Sequence, residues 1–280
     1  MASIFNQAEM ASIGDDILYH YTKSESFFKI LENMTLRPGD FKNLNDLNEA
    51  NIYNLYTNSW KKIFDVEEYI KYKCNLICFT KNYEVKERID IQKGTNRPSM
   101  WAHYAENNNG VCIILDKKKF LEINKSILDN VFYKFEDVEY AFKNGVDERD
   151  LQTSNSPEDF IKQNYRKIFY LKHKDWESEN EHRLFYIGVK KDFSILDCVK
   201  YIELGNKFVS NEEMMERLVK TISNPINACY KCFVPHSFSV SSYNGSGYIG
   251  LDASSFVKKH LRMLKNNISD YCDWYYSNFI

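Results

Sequence analysis

The chain has 280 residues, 44% hydrophobic, 27% charged and 15% aromatic, so it carries enough apolar surface to offset the entropy of ordering, and intrinsic disorder is excluded. With 10 Gly and 5 Pro it is neither collagen-like nor linker-like, and 37 Lys and Arg against 39 Asp and Glu leave a net charge of −2, too little field to draw in nucleic acid or an anionic membrane. No run approaches the ~18 apolar residues of a membrane helix, and residues 1–16 form a polar leader without a basic stretch and apolar core, so the chain reads as cytoplasmic.

Ile17-Leu-Tyr-His-Tyr-Thr22 is a short β-prone run, and Ser24 then opens a helix with Phe27, Phe28, Ile30 and Leu31 on one face. Met34-Thr-Leu36 ends that helix, and Asn43-Leu-Asn-Asp46 is a turn cluster before a second helical stretch over 47–63. Asn75–Thr80 is an apolar run of strand length, followed by a long polar loop from Lys81 to Pro98 of the kind that is often functional. Met100–Ala105 reads as a short helix, Asn107-Asn-Asn-Gly110 as a tight turn and Val111–Leu115 as a buried strand.

Residues 117–164 mix helix and strand signals, with a helix start at Ser156-Pro157. Ile168–Leu171 leads into a charged run, Lys172–Arg183, and then a strand at Leu184–Val189. A strand over 199–204, a helix over 211–222, short strands at 228–234, 237–243 and 247–251 and a closing helix over 253–268 complete the series. No repeat or linker interrupts it, so residues 17–280 are read as a single α+β domain.

Seven cysteines at scattered spacing read as reduced thiols, with Cys74, Cys78 and Cys112 in apolar runs assigned to the core. Cys229-x-x-Cys232 has no second pair to complete a zinc site, and alternating sides of a strand end is the favoured account of it.

Polar groups at the edges of apolar strands form the candidate sites. In Tyr19-His20-Tyr21-Thr22, His20 and Thr22 share one side of the strand and make a small recognition face able to bond a ribose hydroxyl, or else His20 is a hydrogen-bonded core histidine. In Trp176-x-x-Glu179-x-Glu181-x-Arg183, an extended backbone over 179–185 would place two carboxylates and a guanidinium on one face, where neighbouring charges divide the carboxylates into distinct roles, or else the run solvates a strand edge. Trp101 and Tyr104 either form a stacking wall for a planar ring or bury themselves from an amphipathic helix. Asn45-Asp46 is a weaker cluster, commonly turn and cap chemistry.

The order of these motifs, Tyr-His-Tyr-Thr, Leu44-Asn45-Asp46-x-x-Glu49, Met100-Trp101-x-His103-Tyr104 and Trp176-x-x-Glu-x-Glu-x-Arg, resembles the DUF2971 family of prokaryotic proteins over about residues 17–205. His20-Tyr21-Thr22 followed by Phe28, Ile30-Leu31 and Leu36 is more distantly similar to the opening of ADP-ribosyltransferases, and Glu179-Asn180-Glu181 to their Glu-x-Glu element, although Tyr21 stands where that superfamily has Gly.

The second resemblance implies split sheets of short strands with surrounding helices and NAD as co-substrate. It implies that His20 bonds the nicotinamide ribose, Thr22 the carboxamide, and Tyr104 or Trp101 the ring. Glu181 would steady the positive charge that grows on ribose as nicotinamide leaves, Glu179 would orient or deprotonate the acceptor, and Arg183 would hold Glu181 or a phosphate, with Tyr21, Asn45 and Asp46 completing the binding residues and no metal. The acceptor stays open among protein, nucleic acid and water, and a toxin or phage-defence role fits by analogy. No Gly-rich phosphate cradle is present, which sets aside a P-loop NTPase or a dinucleotide-fold dehydrogenase. Two alternatives stand beside it: a Mg²⁺-dependent nuclease using Asp46, Glu49, Glu179 and Glu181, and a non-catalytic module that binds a nucleotide.

Overall fold

The computed structural model describes residues 16–39, 60–84, 91–92, 94–142, 146, 148–223 and 238–240. In chain order its main elements are β1 Ile17–Thr22, α1 Ser24–Asn33, α2 Trp60–Lys73, β2 Cys74–Thr80, α3 Pro98–His103, β3 Val111–Asp116, α4 Lys117–Ile123, β4 Phe132–Asp137, β5 Glu139–Ala141, α5 Pro157–Phe169, β6 Leu171–His173, β7 Glu181–Ile187, β8 Val199–Leu204, α6 Glu212–Ser223 and β9 Phe238–Val240. The class is α+β, as the alternation of apolar runs and helical periods predicts.

The chain divides into two compact units. One draws on Met1–Thr35, Thr95–Phe120 and Ser194–Ile280, the other on Leu36–Gly94 and Leu121–Phe193.

In the first unit β1 pairs antiparallel with β3, β3 pairs antiparallel with β8, and β8 runs parallel to β9. Side chains alternate along each strand. Tyr19 and Tyr21 from β1 and Cys112 and Ile114 from β3 therefore point to one side, where they pack with Met100, Trp101 and Ala105. Leu18, His20 and Thr22 point to the other.

Helix α1 forms where Phe27, Phe28, Ile30 and Leu31 recur at helical spacing, and all four are buried. It stops at Met34, which takes a left-handed φ of 53° while its N–H bonds the Ile30 carbonyl.

The turn after α3 is unusual. Glu106, Asn107 and Asn108 have φ of 53°, 53° and 68°, a left-handed stretch that asparagine tolerates better than most residues. Its partners hold it: the Glu106 carboxylate accepts from the Ser24 N–H at 3.3 Å and hydroxyl at 3.0 Å, and the Asn108 carbonyl accepts from the Lys207 N–H at 2.9 Å. Gly110 closes the turn, because a Cβ there would stand 2.2 Å from the Thr22 carbonyl oxygen.

In the second unit β7 is central, antiparallel to β2 on one side and β4 on the other. Helices α2 and α5 lay Ile63, Val66, Ile70, Phe160, Ile161, Ile168 and Phe169 onto Leu76, Phe185 and Ile187. Phe169 stacks on Phe185 with centroids 4.3 Å apart. Helix α5 starts where Ser156 accepts from the Asp159 N–H, with Pro157 at the first turn, as the Ser-Pro pair predicts.

Some expectations shift. Helix α2 runs to Lys73, ten residues past the end read from sequence, because Ile63, Val66 and Ile70 extend the apolar stripe. Cys78 is half-buried rather than core, whereas Cys74, Cys112 and Cys198 are buried, and none of the four is in a disulfide. Of the closing strands only Phe238–Val240 is described, and the polar leader, Cys229, Cys232 and the helix over 253–268 lie outside the described residues.

Candidate functional site

The second unit holds a buried cluster of opposite charges at the start of β7. Residues 179–185 do not form one extended run: Lys174–Glu179 is a 3-10 helix, and Asn180 ends it in the left-handed conformation at φ 44°. The strand begins only at Glu181.

The junction is pinned to the end of β2. The Thr80 hydroxyl donates to the Glu179 carbonyl, the Asn180 side-chain amide donates to the Asn82 carbonyl at 2.8 Å, and the Lys81 N–H donates to the Asn180 carbonyl at 3.3 Å. Glu181 and Arg183 then share the side of β7 that carries Phe185 and Ile187, the helix-covered core face.

The carboxylates converge by another route than the one expected, through Lys172 on β6. Its ammonium lies 2.6 Å from Glu179 Oε2 and 3.3 Å from Glu181 Oε2, and 4.9 Å from the centroid of the Trp176 ring. Arg183 grips Glu181 in a fork, Nε to Oε1 at 2.8 Å and Nη2 to Oε2 at 2.6 Å, and its Nη1 donates to the Phe169 carbonyl at 2.7 Å. The Glu181 N–H donates to the Tyr140 hydroxyl at 2.9 Å.

The four charged side chains are between 1% and 7% exposed, and their formal charges cancel. Buried ions survive only when paired and hydrogen-bonded in this way.

The electrostatics favour an ionised Glu181. Burial alone pushes its carboxyl up, but the charges of Arg183 and Lys172, with the hydrogen bonds from Arg183 and the Cys78 thiol, reverse this and hold it at about 2. Burial, and after it the Glu181 charge, pushes the Tyr140 hydroxyl well above the ordinary phenol range, so it stays protonated. The site is thus a fixed anion on a rigid strand, with its donors already in place.

Lys172, Tyr140 and Cys78 escape the sequence reading. Lys172 meets carboxylates seven and nine residues ahead, across a 3-10 turn that no helix or strand period reveals.

The remaining candidates of the described chain belong to the first unit. Tyr21 is buried, meets Trp101 edge-on with centroids 5.2 Å apart, and bonds Cys112; burial, then the charges on Cys112 and Glu203, raise its hydroxyl far above the ordinary range. Trp101 is 5% exposed and donates from Nε1 to the Thr95 carbonyl at 2.8 Å, so its indole belongs to the unit's core, and Tyr104 lies partly buried at the margin of that core.

Strand alternation separates the first motif: His20, half-buried, and Thr22 face away from Tyr21 and Trp101. The structure therefore joins Tyr21 to Trp101, and Glu179 to Glu181 and Arg183, but does not set His20 on the aromatic side of β1. Asn45, Asp46 and Glu49 lie outside the described residues. Among the described residues no group of three or more His, Cys, Asp or Glu is arranged to hold a metal ion.

A family model described as a protein of unknown function, DUF2971, matches residues 100–184, from the Met100-Trp101 motif through Arg183. Among solved structures, the chain is similar to one described as DarT of Thermus sp. 2.9 in complex with ADP-ribosylated single-stranded DNA, at 10% identity and a TM-score of 0.30, covering 74% of this chain and 88% of that one. No curated protein matches. No helix among the described residues is long and apolar enough to cross a membrane.

Proposed function

We propose that the chain is an ADP-ribosyltransferase-like enzyme that cleaves the nicotinamide–ribose bond of NAD and passes ADP-ribose to a nucleophile. The observation that carries this reading is Glu181, a carboxylate held ionised by Arg183 and Lys172 in a buried, preorganised cluster. When nicotinamide leaves with the bonding electron pair, positive charge grows on the ribose. A fixed anion in a site of low dielectric stabilises that charge more than it stabilises neutral ground-state ribose.

In this reading Glu181 accepts a ribose hydroxyl and faces the developing cation. Glu179, held beside it through Lys172, orients or deprotonates the acceptor. Arg183 keeps Glu181 in place, because its fork fixes both oxygens. Service as a toxin or phage-defence effector completes the proposal, by analogy with the motif resemblance.

The nuclease alternative also draws on Asp46 and Glu49, which lie outside the described residues.

The test is nicotinamide release from NAD by the purified full chain, with protein extract, single-stranded DNA or water as acceptor. Glu181→Gln is expected to lower turnover by about 10²–10³-fold, the range seen when one preorganised electrostatic group is removed. Absence of NAD consumption with every acceptor, or full activity in Glu181→Gln, overturns the reading. Growth arrest on expression of the wild type but not of Glu181→Gln is the corresponding test of the effector role.

A further inference from the structure

Of the two cations in the buried cluster, Arg183 serves Glu181 and the Phe169 carbonyl, whereas Lys172 reaches both carboxylates. Its place is built rather than incidental. The Lys172 backbone sits in parallel register with Tyr140, whose hydroxyl meets the Glu181 N–H, and the Trp176 ring flanks the ammonium. The side chain is 2% exposed, an expensive position for a lysine unless its charge is used.

Resting on the reading of this cluster as an NAD-cleaving centre, we propose that Lys172 is its positioning residue: the ammonium holds Glu179 and Glu181 side by side as separate anions. A ribose hydroxyl arriving at Glu181 then takes over the longer lysine contact while the shorter one to Glu179 persists. The distances support this division, 3.3 Å to Glu181 against 2.6 Å to Glu179. Glu181 already receives Arg183 Nε and Nη2, Lys172 Nζ and the Cys78 thiol, about the acceptor capacity of one carboxylate, so an incoming donor must replace one of them. The lysine bond is longer than either Arg183 bond, and its loss leaves Lys172 paired to Glu179.

The groups facing Glu181 are Lys172 from β6, Arg183 from β7, Cys78 from β2, Tyr140 from β5 and Glu179 from the 3-10 helix. Without the ammonium, two carboxylates adjoin with one guanidinium turned to Glu181. Like charges at close range in a low-dielectric site resist joint ionisation, so Glu181 keeps its proton to a higher pH.

The experiment compares wild type, Lys172→Met and Lys172→Arg, following the labelled glutamate carboxyl by ¹³C NMR and the pH profile of kcat/KM for NAD. In Lys172→Met the Glu181 midpoint is expected to rise by about 1–2 in pH, the acid limb of kcat/KM to move with it, and Lys172→Arg to restore most of both.

If Lys172→Met does not fold, Lys172→Met combined with Glu179→Gln removes one cation and one anion together. That pair of changes should recover the fold and leave Glu181 titrating near its wild-type value, whereas a midpoint that rises even so counts against the proposal. An unmoved Glu181 midpoint, or activity lost equally at every pH, overturns it. If the wild type consumes no NAD, the enzyme reading fails while the carboxyl titration still decides whether Lys172 keeps the pair ionised. If NAD is consumed and the acid limb of Lys172→Met is unmoved, the lysine proposal alone fails.

Discussion

Replacing Arg183 by Met tests the buried cluster most directly. The Arg183 side chain is 1% exposed and donates through two nitrogens to Glu181 and through a third to the Phe169 carbonyl. Met fills much of the volume but supplies neither charge nor donor.

In the folded chain the Glu181 carboxyl titrates at about 2 against an ordinary 4.5. At about 1.4 kcal/mol per unit of pH, that difference contributes on the order of 3 kcal/mol of stability at neutral pH. Because the folded value is the depressed one, the contribution is complete above about pH 4.5 and drains away as pH falls toward 2, with about 1 kcal/mol left at pH 3. Arg183→Met removes the guanidinium charge that does most to hold Glu181 down. Lys172, which remains, is farther from Glu181 at 3.3 Å and is shared with Glu179.

The expected loss at pH 7 is therefore about 3–5 kcal/mol, the range for breaking a buried pair from one side. The gap to wild type should shrink by more than half at pH 3, where Glu181 in the variant is already protonated. Urea unfolding monitored by tryptophan fluorescence at both pH values measures it. A variant within ~0.5 kcal/mol of wild type at pH 7, or a loss that does not depend on pH, refutes the argument.

Gly110→Ala should lower the melting temperature by several degrees or abolish folding, because its Cβ would meet two backbone atoms, the Thr22 oxygen at 2.2 Å and Ala105 Cα at 2.9 Å, that cannot swing aside; a wild-type melting curve would refute the close approach. Ser24→Ala removes the 3.0 Å bond to Glu106 that holds the left-handed turn to α1, and should cost about 1 kcal/mol in chemical denaturation. In native protein a thiol reagent with peptide mapping should label Cys78 ahead of Cys74, Cys112 and Cys198, since those three are buried and burial pushes the Cys198 thiol up to about 12 and raises the other two as well; labelling of Cys112 before Cys78 would contradict the packing of β3.

Strands β1, β3 and β8 and helices α1 and α6 are legible in the sequence because their apolar residues already obey a strand or helix period, which depends only on backbone geometry. The charged run Lys172–Arg183 is legible as a candidate site for a coarser reason: so many ionisable groups running into a core strand must either be solvated or pair. Which of these happens is not written in the spacing. Asn180 breaks the extended pattern by turning left-handed, a tolerance its residue type permits but does not require.

The assignment of Tyr21 and Trp101 to the core, with His20 and Thr22 on the opposite side of β1, likewise needed the strand's partners, since alternation says that neighbours diverge but not which side α3 covers. By itself, then, the sequence determined the α+β class, most of the described elements and the residue types available for chemistry. Only the tertiary structure decided that Glu179 and Glu181 meet through Lys172 and that Arg183 fixes Glu181 as an anion. Those contacts join separate elements, and charges so placed keep their ionisation through burial and mutual distance, neither of which a linear chain encodes locally.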